Sequence, residues 1–162
     1  MKSILMALLI ATAAGPGQAG TVEVLFVDPD GYADAGGHLG DAQRYRDELT
    51  RLLDQLGARW LPAEQSLRVE FLNIDLAGEI RVTPRANNPR VLRGRADWPR
   101  FELRYLLRSG EQVLASGQES LADMSYMGNP DTNPIGNGDE SLPYEKRMLS
   151  RWFVRRFGGA VP

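Results

Sequence analysis

Three aspartates (Asp75, Asp97 and Asp123) and one histidine, His38, are the residues with which this chain could do acid–base chemistry. Carboxylate hydrolysis needs one carboxyl held protonated and another ionised, in neighbouring but different surroundings. Asp75 and Glu79 would share one face of an extended strand, about 13 Å apart at Cα. Only a bend at Gly78 would close that gap. A serine triad would have to use His38, which lies among glycines. No G-x-S-x-G, S-x-x-K, P-loop or H-E-x-x-H string occurs. Asp28, Asp30 and Asp34 gather around Gly31 as calcium ligands do. The later acidic ligand of that pattern is missing, and Asp and Gly at this density are ordinary turn formers. Asp131 and Asn133 fail in the same way at Ile135. We expect neither metal nor cofactor.

Binding is the other chemistry on offer. In Asp97-Trp98-Pro99-Arg100, an aromatic ring stands beside both charges. Such a group can hold a sugar or an anionic headgroup, or the Trp can anchor a strand in the core. Arg100, Arg104 and Arg108 fall on one face of a strand, and Arg147, Arg151 and Arg155 on one face of a helix. Either stripe could read phosphate or acidic glycan, or simply form a solvated face. The expected binding set is Asp75, Glu79, Asp97, Trp98, Arg100 and Arg104.

Composition narrows the classes. The chain has 162 residues, with 17 Arg, 2 Lys, one His and no Cys. Disulfides, thiolate zinc sites, iron–sulfur clusters and cysteine nucleophiles are excluded. Charge comes in blocks: net −7 over 21–79, +6 over 81–108, −7 over 109–145 and +5 over 146–162. The basic blocks either face the acidic ones within the fold or meet an anionic partner. A nucleic-acid binder would be basic overall, so no nucleic acid is expected. Lys2, an apolar run from Ile4 to Ala14 and the small-residue exit Gly17-Gln18-Ala19 describe a secretory signal peptide. The run is too short to span a bilayer, which takes about 20 residues. Cleavage after Ala19 would leave 143 residues, a periplasmic or secreted domain with no membrane span. A core of that size needs no disulfide staples.

The elements that must position these groups follow from periodicity. Residues 21–29 alternate as a strand stopped at Pro29, and 28–40 form a loop. A helix over 41–56 carries the stripe Ala42, Tyr45, Leu49, Leu52, Leu53 and Leu56, with Asp41 as cap and Gly57 as stop. A strand over 66–80 changes parity: Leu67, Val69 and Phe71 alternate on one phase, Leu72, Ile74 and Leu76 on the other. That predicts a bulge near Phe71-Leu72 or burial on both faces. Residues 84–97 read as irregular. Strands over 98–108 and 111–122 form a hairpin with a three-residue loop and a left-handed Gly110, pairing Tyr105 with Val113 and Leu103 with Ala115. A long loop spans 125–142. A helix over 142–157, capped by Ser141, buries Met148, Leu149, Trp152, Phe153 and Phe157, and 158–162 is a tail. The order β-α-β-β-β-α predicts one α+β domain over 20–157, a mainly antiparallel sheet of about four strands with two helices on one face.

The strings VEVLFVDP, NIDLAGE, ADWPRFELRY and YEKRML with the following SR-WF resemble the exported bacterial family catalogued as domain of unknown function 3016. The likeness spans about 21–157. It implies an exported single domain and carries no activity, substrate or catalytic residue. The element order is also similar to small envelope domains of the outer-membrane assembly and accessory type, a likeness of architecture alone. The expected function is a non-catalytic envelope binding or accessory module, with an envelope protein or anionic ligand as partner. The alternative is a carboxylate-based hydrolase or transferase using Asp75, Asp97 or Asp123.

Overall fold

The computed structural model describes residues 19–34, 41–80, 90–94, 96–128 and 141–159. The signal segment, His38, Asp131 and Asn133 lie outside them. The elements are β1 (Thr21–Phe26), α1 (Ala42–Trp60), β2 (Gln65–Asp75), β3 (Glu79–Ile80), β4 (Arg90–Val91), β5 (Arg100–Ser109), β6 (Gln112–Ala122) and α2 (Pro143–Phe157). The main sheet runs β1-β2-β5-β6, and β3 pairs with β4 alone.

The sheet is mixed, not mainly antiparallel as expected. β1 pairs parallel to β2, with Val22 opposite Leu67 and Phe26 opposite Phe71. The α1 crossover is what permits this, since parallel neighbours need a connection of a dozen or more residues. The β2–β5 and β5–β6 pairs are antiparallel.

The parity change in β2 is a bulge. Phe71 pairs with Leu103 and Asn73 with Glu102, leaving Leu72 as the extra residue. Leu67, Val69, Phe71 and Ile74 are therefore all buried on the same side. Phe71 stacks on Phe26 at 5.2 Å between centroids and meets Phe101 edge-on at 5.5 Å. Beyond β2 the expected strand breaks. Gly78 has φ of 79°, a value that costs an L side chain 1–2 kcal/mol as an order of magnitude. A Cβ there would come within 2.6 Å of the Val91 carbonyl oxygen. The chain bends at Gly78 into β3, which pairs with the short β4 inside the segment read as irregular.

α1 runs through Gly57 to Trp60 instead of stopping there. The glycine serves packing: a Cβ on it would stand 2.2 Å from Val22 Cγ2, so its absence lets α1 close on β1. The α1 stripe is buried as the periodicity demands, as are Met148, Leu149, Trp152, Phe153 and Phe157 of α2. Each such side chain, fully buried, contributes about 1.5–3 kcal/mol. Both helices join the inner face of the sheet in one core. Ser141 is not the cap of α2. Leu142 holds that position at φ 73°, and the Ser141 hydroxyl bonds to Glu48 instead.

The hairpin register differs from expectation by four residues. Gly110 is left-handed at φ 55°, but Ser109 pairs with Gln112, so the loop has two residues. A second bulge between Leu107 and Arg108 then sets Tyr105 opposite Gly117 and Leu103 opposite Glu119. The inner face of β6 is thus Ala115, Gly117, Glu119 and Leu121, less apolar than alternation favours. Glu119 is acceptable there because α2 supplies its partners: Trp152 Nε1 donates to it at 3.1 Å, and Arg156 pairs with it.

Candidate functional site

Among the described residues no helix covers the outer face of the sheet, and cross-strand charge pairs dominate it. Arg68 Nε donates to Glu23 at 2.7 Å, and Arg104 Nε to Glu70 at 2.8 Å. At the C-terminal end of β2, Asp75 lies opposite Arg100, with Nε and Oδ2 4.0 Å apart. That is contact range for an ion pair and too long for a hydrogen bond. The Arg100 guanidinium lies 4.8 Å from the centre of the Trp98 ring, within cation–π range. Trp98 is half-buried and outside the central core. Asp75, Trp98 and Arg100 thus form one group at the rim of β2 and β5, with Arg104 further along the ladder.

Glu79 and Asp97 belong to a neighbouring knot. Arg93 pairs with Glu79 at 2.9 Å, and its backbone N–H donates to Asp97 at 2.5 Å. Asp97 also bonds the Tyr126 hydroxyl, whose pKa is raised chiefly by burial and further by Asp97. The bend at Gly78 carries Glu79 toward Arg93. Asp123 lies elsewhere, nearly buried, with Arg147 and Arg151 at 3.5 and 2.5 Å from its Oδ2. The three candidate acids Asp75, Asp97 and Asp123 therefore have separate partners: Arg100 for Asp75, the Arg93 N–H and the Tyr126 hydroxyl for Asp97, and Arg147 with Arg151 for Asp123.

A buried charge cluster sits behind the end of β2, and sequence reasoning missed it. Glu145, on the first turn of α2, is fully buried. Its Oε1 accepts the Ala77 N–H at 2.7 Å and pairs with Arg90 of β4, while its Oε2 is buried with no hydrogen-bond partner. The Arg90 side chain also donates to the Ala77 carbonyl. The signal was present: Glu145 precedes Met148, Leu149 and Trp152 by three, four and seven residues, which puts it on the buried stripe.

Asp34 reaches the same strand end. The Leu76 N–H donates to its Oδ2 at 2.9 Å, and the Asp34 N–H donates to the Ile74 carbonyl at 2.8 Å. Burial pushes the Asp34 carboxyl above its usual range, and the charges of Asp75 and Glu145 act in the same direction. Burial raises Asp75 too, against the pull of Arg100. A raised folded pKa means that ionised Asp34 costs stability above that pKa, and the cost disappears as pH falls toward the unfolded value of about 4. Asp34→Asn keeps an oxygen for Leu76 and removes the charge. Its urea midpoint should exceed wild type at pH 7, and the gap should close toward pH 4 or so. An equal or lower midpoint at neutral pH would contradict the burial argument.

Among the described residues no three acidic, His or Cys side chains are grouped to hold a metal ion. Nor is any helix there long and apolar enough to cross a membrane.

The fold and its surfaces define a two-layer α+β domain, with helices on one face of a mixed sheet and an arginine–carboxylate ladder on the other. The chain belongs to the family described as "Protein of unknown function (DUF3016)", whose model matches residues 20–155. No curated protein matches it. Among solved structures it is similar to a Xanthomonas campestris protein of the family DUF330, at 13% identity and a TM-score of 0.37, over 88% of this chain and 82% of that one.

Proposed function

We propose that this protein is an exported module of the cell envelope, periplasmic or secreted, that works by binding and not by catalysis. The observation that supports this reading is the Asp75–Trp98–Arg100 group. Its ion pair is long, its guanidinium is exposed and lies over a half-exposed indole, and it continues along the sheet to Arg104. A planar cation over an aromatic ring suits a carboxylate, phosphate or sulfate group on a partner. Exposed pairs of this kind contribute only about 0–1 kcal/mol to stability, so a ligand can displace them cheaply.

The test is charge reversal, Arg100→Glu together with Arg104→Glu. Wild type should be retained on a sulfated-dextran matrix at low salt, and the double variant should bind at least about tenfold more weakly. Its circular dichroism should be unchanged. Equal retention, with the same envelope proteins co-purifying, would defeat the reading. Localisation is tested separately, by finding Gly20 as the first residue of the protein in the periplasmic or culture fraction.

A further inference from the structure

The two end strands of the main sheet differ in how they are guarded. β1 has six residues and carries Glu23, paired with Arg68. β6 has eleven residues, QVLASGQESLA, with no Lys, Arg or Pro among them. An end strand leaves one row of its N–H and C=O groups open, and strands that stay single are usually short, charged or broken by proline. Among the described residues β5 pairs with one side of β6, and no strand covers the other. The one charge in β6, Glu119, lies on the inner face and is held by Trp152 and Arg156. It does not guard the edge.

The sequence of β6 suits pairing with its own copy. The bulge at Leu114 leaves 115–122 as a regular ladder. Directly opposed residues of antiparallel strands point to the same side. A two-fold axis between two copies of β6 must therefore pass through a residue position. Centred on Gln118, the pair uses all of 115–121. On the inner face Ala115 meets Leu121 of the second copy, and Gly117 meets Glu119. On the outer face Ser116 meets Ser120, and Gln118 meets Gln118. Apolar side chains oppose apolar ones, and no like charges are opposed. Centring on Glu119 would set two carboxylates face to face, and centring on Gly117 would confine the regular ladder to 115–119.

We propose that β6 is a self-association surface: two copies of this chain pair antiparallel through residues 115–121, with Gln118 on the two-fold axis, joining their four-stranded sheets into one. Such an interface uses the same patch on both copies and closes at two. It does not depend on the Asp75–Trp98–Arg100 group. It does bear on the outer face, because Arg104 lies opposite Gln118. Arg104 and its copy would stand in one row, about 14 Å apart across three strand spacings.

The experiment uses the chain from Gly20 onward. Sedimentation equilibrium should show a monomer–dimer equilibrium below about 1 mM. Gln118→Lys and Gln118→Glu each set like charges against each other on the axis and should weaken association by at least about tenfold. Mixing the two variants should restore a dimer. Each variant at low concentration should keep the circular dichroism of monomeric wild type. The chain has no cysteine, so Gln118→Cys adds a single thiol. Oxidation with diamide should link two copies at once, since directly opposed Cβ atoms lie about 4.5–5.5 Å apart. Ser116→Cys, opposed to Ser120 and not to its own copy, should not link. Association should hold or strengthen with salt, because the pairing is not ionic and Arg155 of each copy borders the edge. The proposal is overturned by a monomer at every concentration up to about 1 mM, or by a dimer that both charge variants leave intact. It is equally overturned by a dimer lost in salt, or by a covalent link at 116 and not at 118.

Discussion

Arg90→Met should lower the unfolding free energy by about 3–5 kcal/mol, the usual cost of removing one partner from a buried ion pair. Among the described residues Arg90 is the cation paired with Glu145, and that carboxylate is fully buried at the junction of α2, β4 and the end of β2. The Ala77 N–H would remain as a donor, but one neutral donor does not compensate a charge taken out of water. The pair's net worth is a separate question, answered by Arg90→Met combined with Glu145→Gln. The amide oxygen of Gln can still accept the Ala77 bond, so the double variant should recover most of the loss. Urea denaturation of the two single variants and the double at pH 7 measures the coupling. If Arg90→Met alone costs under about 1 kcal/mol, as an exposed pair would, then Glu145 has access to water and the cluster is not buried in solution.

Trp152→Ala should cost a comparable amount, about 3–5 kcal/mol, for a different reason. The indole is nearly inaccessible and sits among Tyr105, Phe153 and Phe157 at centroid distances of 6.0, 6.3 and 5.5 Å. Truncation would leave a cavity across the centre of the helix–sheet interface. It would also remove the N–H that Glu119 accepts. Trp152→Phe should cost clearly less, because it keeps most of the volume and loses only that bond. Thermal unfolding of both variants separates packing from the hydrogen bond. Equal losses would assign the effect to the Glu119 contact.

Both variants bear on what the sequence could disclose. Features set by local alternation and helical spacing were legible: the α1 and α2 stripes, the inward set Phe101, Leu103, Tyr105 and Leu107, and the bulge at Phe71-Leu72. Their cause lies within a few residues, so the pattern carries it. Features decided by distant partners were not. The β1–β2 pairing is parallel because α1 carries the chain back across the sheet. Alternation alone favours a β6 register with the most apolar inner face, and the observed register sets Glu119 there instead. Trp152 and Arg156, over thirty residues later, make Glu119 acceptable there. Gly57 looked like a helix stop because its packing partner, Val22, lies on another element. Of the binding set, the structure brings Asp75, Trp98 and Arg100 together at one rim and places Glu79 and Asp97 in the adjoining Arg93 knot. The sequence showed the residue types but not which arginine each acid would meet. The alternating charge blocks resolve largely within the fold: residues of the basic segments 81–108 and 146–162 reach Glu70, Asp75, Glu79, Asp123 and Glu145 in space.

The bulge in β2 also sets where the chain tolerates a change of length. Leu72 is the one residue of that strand opposite nothing, with Phe71 against Leu103 and Asn73 against Glu102. Losing a residue at this point would leave a regular ladder in which Phe71 and Ile74 still face inward and Asn73 and Asp75 outward. The same loss further along the strand would turn the residues between it and the bulge to the opposite face. Related chains that differ by a single residue in β2 can therefore share the fold, provided that the difference falls at this position.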